Sequence, residues 1–419
     1  MAQPKSIKKH LSLILRLLVA ALGVTYIAYK LDWHNQIELR PGDYVLDSGQ
    51  SLHVDKARTY PVITPDFDPA QVTAPLTIDT DASDAMSRPM TIPAARINAQ
   101  DTPFILRPGI GTTLRHASFD LLLFGLLIIA PIYPITALRW WTLMRARGID
   151  VRPGKAFKLS MVGCFFNYCM PGTTGGDLIK AYYAARRSDR RTDSIMSVFI
   201  DRVVGLLGLV LLAGIAGLFM LNDGDPQVRH LARNVTFYIW GAAGVVTVCS
   251  AFYFSRRLRK LSGLDALLGR FLKPDSMLGK IDMAAVAYSN HKLVVFVAIL
   301  MSVPVHLLLA ISTAMAGYAL GMDAPLGLLL TVVPILFLAG SIPISYQGLG
   351  VMEGLAMAMI LHPPGATSNQ IVGMLLLIRL FQIVYSLTGA LFLLKGDIHM
   401  HPEREGEPVL AEASPMPVS

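Results

Sequence analysis

Long apolar runs almost free of charge recur along this chain, and they restrict its fold more than any other feature. Residues 11–29, 117–138, 194–221, 235–254, 292–320 and 371–394 are dominated by Leu, Ile, Val, Ala, Phe and Gly. At ~1.5 Å of rise per helical residue, each is long enough to cross a hydrocarbon core of roughly 30 Å. In lipid every backbone polar group needs an internal partner, so such segments form helices. The whole chain is 53% hydrophobic and 16% charged, too apolar for an ordinary soluble protein. The expected fold is an all-α polytopic membrane protein with about six full spans.

The formal net charge of +8 gathers in short loops. It therefore bears on topology and on anionic lipid headgroups, and nucleic acid is not an expected partner. Lys5, Lys8 and Lys9 precede the first run. A signal peptide begins in the same way, but no small-x-small cleavage site stands before Asp32, so an uncleaved first span is expected. Arg139-Trp-Trp with Arg145 and Arg147, and later Arg256, Arg257, Arg259 and Lys260, mark cytoplasmic ends. Both termini are then cytoplasmic, in the cell inner membrane. Residues 1–31 form the N-terminus and first span, and the polar, Pro-rich tail 396–419 is expected to be disordered. Residues 261–272 place Leu and Phe at near-helical spacing among basic residues. This fits an amphipathic surface helix or a packed linker helix.

Residues 32–116 differ in character. Asp and Pro are frequent, and Arg40-Pro-Gly, Thr64-Pro-Asp and Arg107-Pro-Gly separate short strand-like pieces. They are expected to form a small β-rich extracytoplasmic insertion. Its size makes an independent core marginal, so it leans on the membrane domain or on a protein partner. His34, His53 and His116 are scattered through it without a catalytic pattern. Cys164, Cys169 and Cys249 all fall in apolar segments, which argues against a disulfide framework or a zinc site.

Two apolar segments between the spans are broken. Residues 157–170 are about 14 in number, too few to cross with confidence. The loop Met170-Pro-Gly-Thr-Thr-Gly-Gly-Asp177 follows, and then 178–185 ends in Arg186, Arg187, Arg190 and Arg191. Basic residues flank both ends, which a hairpin entering and returning on the cytoplasmic side satisfies. In the other half, 326–342 leads to Gln347-Gly-Leu-Gly350 and then 351–361, with no basic cluster, as expected of a hairpin entering from outside. The result is two re-entrant helical hairpins in an inverted-repeat arrangement within a membrane domain at 117–395, a pattern in which substrate sits where broken helices meet.

The loops are the candidate site. Pro171, Gly172, Gly175 and Gly176 in one, and Gly348 and Gly350 in the other, each precede a half-helix whose N-terminus favours an anion such as a lipid phosphate. Lys180, Arg186 and Arg187 extend that attraction toward the inner surface. Asp177 and Glu353 lie near the starts of their half-helices. There they cap the helix, or they face a cavity and meet a cation, a proton or a basic partner. Asp201 and Arg202, neighbours about 100° apart on a helix, need separate partners: Asp201 with Lys180 or Arg187, Arg202 with Asp177 or Glu353. Arg379 is expected to pair with Glu353. His306 is expected to be a satisfied interior group.

Taken in order, Ala137-Leu-Arg-Trp-Trp, Phe166-Asn-Tyr-Cys-Met-Pro-Gly-Thr-Thr-Gly-Gly-Asp-Leu-Ile-Lys-Ala-Tyr, Asp201-Arg-Val-Val-Gly-Leu, Gln347-Gly-Leu-Gly-Val-Met-Glu-Gly and Ile378-Arg-Leu resemble the transmembrane region of lysylphosphatidylglycerol synthases, also described as flippase-like integral membrane proteins. The resemblance covers roughly 117–395. It implies a protein that moves lipids or lipid-linked headgroups between leaflets, with membrane lipids as partners. The larger synthases continue into a soluble aminoacyl-transferase domain. None follows here, so that chemistry is not expected. Lys180 stands where such proteins commonly have Arg, which loses bidentate phosphate gripping. The insertion 32–116 is not part of the usual pattern. Two other readings stay open: a scaffold or accessory subunit whose insertion recruits a partner, and a membrane transferase with Asp177 or Glu353 as base. For the latter the sequence offers no metal-ligand set, no cofactor motif and no nucleophile–base pair.

Overall fold

The computed structural model describes residues 25, 28–45, 51–64, 67, 72–79, 89–92, 104–169, 175–186, 190–222, 226–254, 260–261, 263, 282, 286–342, 345–360 and 366–395. The first apolar run up to residue 24, the amphipathic stretch at 264–272 and the tail at 396–419 lie outside them, as do Pro171, Gly172 and Arg187.

Helices dominate. After a short α1 (Ile110–Arg115) come α2 (Phe119–Ile128), α3 (Ile132–Ala146), α4 (Pro153–Cys169), α5 (Gly175–Arg186), α6 (Arg191–Phe219) and α7 (Pro226–Phe254). The second half holds α8 (Lys292–Ala319), α9 (Leu326–Ser341), α10 (Val351–Ile360) and α11 (Ser368–Leu394). Among the described residues four stretches are long and apolar enough to cross a membrane: Phe119–Ala146, Arg191–Asn222, Tyr288–Ala319 and Ser368–Leu394. The 29-residue α7 packs chiefly on α6 and leaves Phe237, Tyr238 and Val245 exposed.

The helices α2–α6 and α8–α11 repeat one packing scheme. In each half a long helical stretch is followed by two short helices and then another long one. The short pairs α4–α5 and α9–α10 each pack against each other, and each first member lies on the long helix before it. The second members, α5 and α10, pack on the long helix that follows in their own half, α6 and α11. The first members cross over: α4 packs on α11, and α9 packs on α6. Two halves related in this way share one interior, where Met352, Ala356, Ile371, Met374 and Ile378 are buried.

Glycines allow the closest approaches. A Cβ on Gly176 would lie 1.7 Å from the Gly163 carbonyl oxygen, so α4 and α5 meet backbone to backbone. A Cβ on Gly348 would lie 2.6 Å from the Gly340 Cα, which closes α9 onto the turn before α10 in the same way. That turn, Tyr346–Gly348, carries positive φ at Gln347 (50°) and Gly348 (69°), and Gly350 follows at 85°. The αL region is a routine site for glycine and a costly one for glutamine.

The segment before α1 is a small β unit with a core of its own. β1 (Gln36–Leu39) lies between β4 (Arg58–Pro61) and β7 (Phe104–Arg107), antiparallel to both. The hairpin β2 (Gly42–Val45) with β3 (Ser51–Val54) and the pair β5 (Leu76–Asp79) with β6 (Pro89–Ile92) complete it. Ile37 and Leu39 alternate with partly exposed neighbours along β1 and face Tyr60, Leu76, Ile78, Ile92 and Phe104. His53, on β3, sits between Asp43 and Asp55, and these carboxylates raise its pKa, the Asp43 hydrogen bond most.

One buried amide joins this unit to the helices. Asn369, in the first turn of α11, accepts the Asp32 amide at 3.0 Å and donates to the carbonyls of Asp32 and Pro108, both at 2.8 Å. The two chain crossings that lead into and out of the β unit are thereby held at one point. Thr367 and Gln370 form a capping box at the same helix start, and Gln370 also donates to the Leu320 and Gly321 carbonyls.

Candidate functional site

The two short-helix pairs bring their tips together. Gln347 Nε2, in the turn before α10, donates to the carbonyl of Asn167 near the end of α4 at a long 3.4 Å. The Asn167 side chain in turn accepts the Gly176 amide of α5 at 2.8 Å. Beside this contact lies a cleft of about 420 Å³. Arg139, Asp177, Lys180, Asp201, Arg202 and Arg379 line it, along with Asn167, Gln347 and Gln382. Four of these are cationic and two anionic; with Glu353, which pairs with Arg379, the formal excess is one positive charge. Ile129, Leu206, Leu309 and Phe337 supply an apolar wall.

The charged residues fall into three groups. The first is an ion pair between Arg202 Nε and Asp177 Oδ2, with side chains 36% and 24% exposed. The second joins Arg379 Nη1 to Glu353 Oε1, with side chains 11% and 0% exposed. Glu353 also accepts the Gly350 amide at 2.7 Å, so it caps its own helix while neutralising Arg379.

These two pairs occupy the same register of the repeat. Asp177 and Glu353 are each the third residue of their short helix, and Arg202 and Arg379 are each the twelfth of the long helix that follows. The acid precedes its arginine by 25 residues in one half and 26 in the other.

The third group has no counterpart in the second half. Asp201 accepts Arg139 Nε at 2.8 Å and Lys180 Nζ at 3.3 Å, and all three residues are buried. Arg139 Nη1 also donates to Ser302 Oγ at 2.8 Å, and Lys180 Nζ lies 4.0 Å from the centre of the Trp140 ring. The cluster thus ties α3, α5, α6 and α8. Desolvating these charges is costly, and both carboxylate oxygens are engaged in repayment.

Several expected pairings are present: Asp201 with Lys180, Arg202 with Asp177, and Arg379 with Glu353. Two expectations change. Arg139 was expected to mark a cytoplasmic helix end beside Trp140 and Trp141, yet α3 runs on to Ala146 and Arg139 is a buried partner of Asp201. The half-helix N-termini also do not offer only bare amides, since Asn167 and Glu353 already take the Gly176 and Gly350 donors. Gly175 begins α5, and Arg186 ends it at the far end from the cleft. His306 donates through Nε2 to the Gly205 carbonyl, 2.9 Å away, while its buried Nδ1 has no hydrogen-bond partner among the described residues. Among the described residues no cluster of three or more His, Cys, Asp or Glu could hold a metal ion.

Broken helices that meet tip to tip beside a charged cleft, inside a bundle of membrane-length helices, define a polytopic membrane protein with a central polar site. Residues 109–389 match the family described as "Lysylphosphatidylglycerol synthase TM region", and the chain belongs to it. No curated protein matches the chain. The β unit up to Pro108 precedes the matched region.

Proposed function

We propose that this protein carries an anionic phospholipid, or a lipid-linked phosphate headgroup, between the leaflets of the cell inner membrane. The observation that supports this best is the cleft. It combines a surplus of cationic side chains with apolar ones in a single cavity, as an amphipathic lipid with a negative headgroup requires. Intramembrane charges are costly, and those that face a cavity commonly belong to a substrate path.

In this reading α4–α5 and α9–α10 are re-entrant hairpins entering from the cytoplasmic and outer sides, and both chain termini are cytoplasmic. The headgroup enters between the tips and is held by Arg202, beside the turns at Gly175, Gly176, Gly348 and Gly350, where Asn167 and Glu353 occupy the Gly176 and Gly350 amides. Pro171, Gly172, Arg186 and Arg187 shape and charge the approach. Lys180 and Asp201, buried with Arg139, hold the helices around the cleft. The headgroup leaves on the other side as the halves rock about their shared interior. The β unit stands on the outer side, where it is available to a protein partner.

A leaflet-resolved assay tests this. The full chain is reconstituted in proteoliposomes with a headgroup-labelled phosphatidylglycerol, and quenching from outside is followed in time. The expected result is faster loss of leaflet asymmetry than in protein-free vesicles. An unchanged rate would overturn the proposal.

A further inference from the structure

The equivalence of the two acid–arginine pairs carries a second step, which rests on the lipid-transport reading. Each carboxylate places one oxygen on its arginine, where a phosphate oxygen would also sit, because both are anionic acceptors for the same guanidinium N–H donors. We infer that Arg202 and Arg379 are equivalent phosphate sites, one per half-repeat, and that Asp177 and Glu353 are built-in competitors that hold each site when no lipid is bound. Both acids sit in the first turn of a short helix, so each has a resting place near that N-terminus when a ligand displaces it.

The two sites are in different states. The Arg202 pair is partly open to the cleft, so an incoming phosphate reaches it. The Arg379 pair is more enclosed: Arg379 lines the cleft with a side chain only 11% exposed, while Glu353 is fully buried and is also engaged by the Gly350 amide. Arg379 has a further contact with the Met352 sulfur at 3.7 Å. In this conformation, therefore, lipid phosphate competes with Asp177 for Arg202 and has little access to Arg379.

The test is calorimetric titration of the full chain in nanodiscs with a short-chain phosphatidylglycerol, using the matching diacylglycerol without phosphate as control. Asp177→Asn removes the competitor and leaves Arg202 in place. It is expected to tighten binding about tenfold, and the added Arg202→Gln in the same chain is expected to abolish that gain. Glu353→Gln is expected to tighten binding less than twofold, since Arg379 stays enclosed. Size exclusion of each variant in detergent confirms that it is folded before its binding is compared. Unchanged or weaker binding in Asp177→Asn overturns the inference, and so does an equal gain from Glu353→Gln. Binding is read apart from transport. Tighter binding by Asp177→Asn with no lipid movement by the parent chain would sink the transport reading and keep the phosphate site.

Discussion

In the first half of the repeat, the acid–arginine pair lines the cleft and is partly exposed, and a separate buried cluster of Arg139, Asp201 and Lys180, which also lines it, ties the helices together. In the second half, the corresponding pair is itself buried, and no such cluster accompanies it. Position 201 corresponds to Ile378 and position 180 to Ala356 in the repeat register. Under the proposed function, structural and ligand-facing tasks are divided between different charges in the first half and combined in Glu353 and Arg379 in the second. A partly exposed pair exchanges its partner at small cost, whereas a buried one does so only if the surrounding helices move.

The comparison predicts an order of effects. Asp201→Ala leaves two buried cations without their shared acid and should destabilise the protein by about 3–5 kcal/mol, the range for breaking a buried ion pair. Thermal unfolding followed by size exclusion in detergent would read this as lost folded protein. Glu353→Ala should follow at about 3 kcal/mol, because it strips Arg379 and the Gly350 amide together. Gly176→Ala should cost about 1–3 kcal/mol, since the new methyl overlaps the Gly163 carbonyl and forces α4 and α5 apart. Asp177→Ala should change stability by no more than about 1 kcal/mol, since exposed pairs are weak. If Asp177→Ala proved as damaging as Glu353→Ala, the distinction between a more open and a more enclosed pair would fail.

The smallest effect lies in the β unit. The His53 pKa is raised by Asp43 and Asp55, so the folded state binds its proton more tightly than the unfolded chain. The support this lends to β2–β3 is full below the usual imidazole value of 6.5 and is lost as pH rises through the raised value. The protection of amides in residues 42–45 and 51–54, taken relative to the intrinsic exchange rate at each pH, should therefore fall between mildly acidic and alkaline pH, and His53→Gln should remove that dependence.

Much of this arrangement was legible in the residues. Apolar length gave four of the six expected spans among the described residues, with 235–254 not among them, and Gly and Pro inside apolar runs pointed to the breaks. Unpaired charges in those runs demanded partners, and three of the suggested pairings formed. The equal register of Asp177 and Arg202 with Glu353 and Arg379 was present in the spacing, but the surrounding residues differ enough to hide it. Arg139 was misplaced because a basic residue beside two tryptophans is the usual signature of a membrane boundary. The surplus of basic residues there was the available clue, since Arg145 and Arg147 already mark the end of α3. Asn369 gave no signal, because a polar residue at a helix start is expected to meet water or a cap. Its role follows only from the return of residues 32 and 108 to one point in space.

The most direct test of the central claim is a cryo-EM reconstruction of the full chain in nanodiscs rich in phosphatidylglycerol. A phosphate density within hydrogen-bond reach of Arg202, beside the Asn167–Gln347 contact and with acyl density along Phe337 and Leu206, is the predicted result. Lipid confined to the outer surface of the bundle, with the two tips parted and no cleft between them, would contradict it.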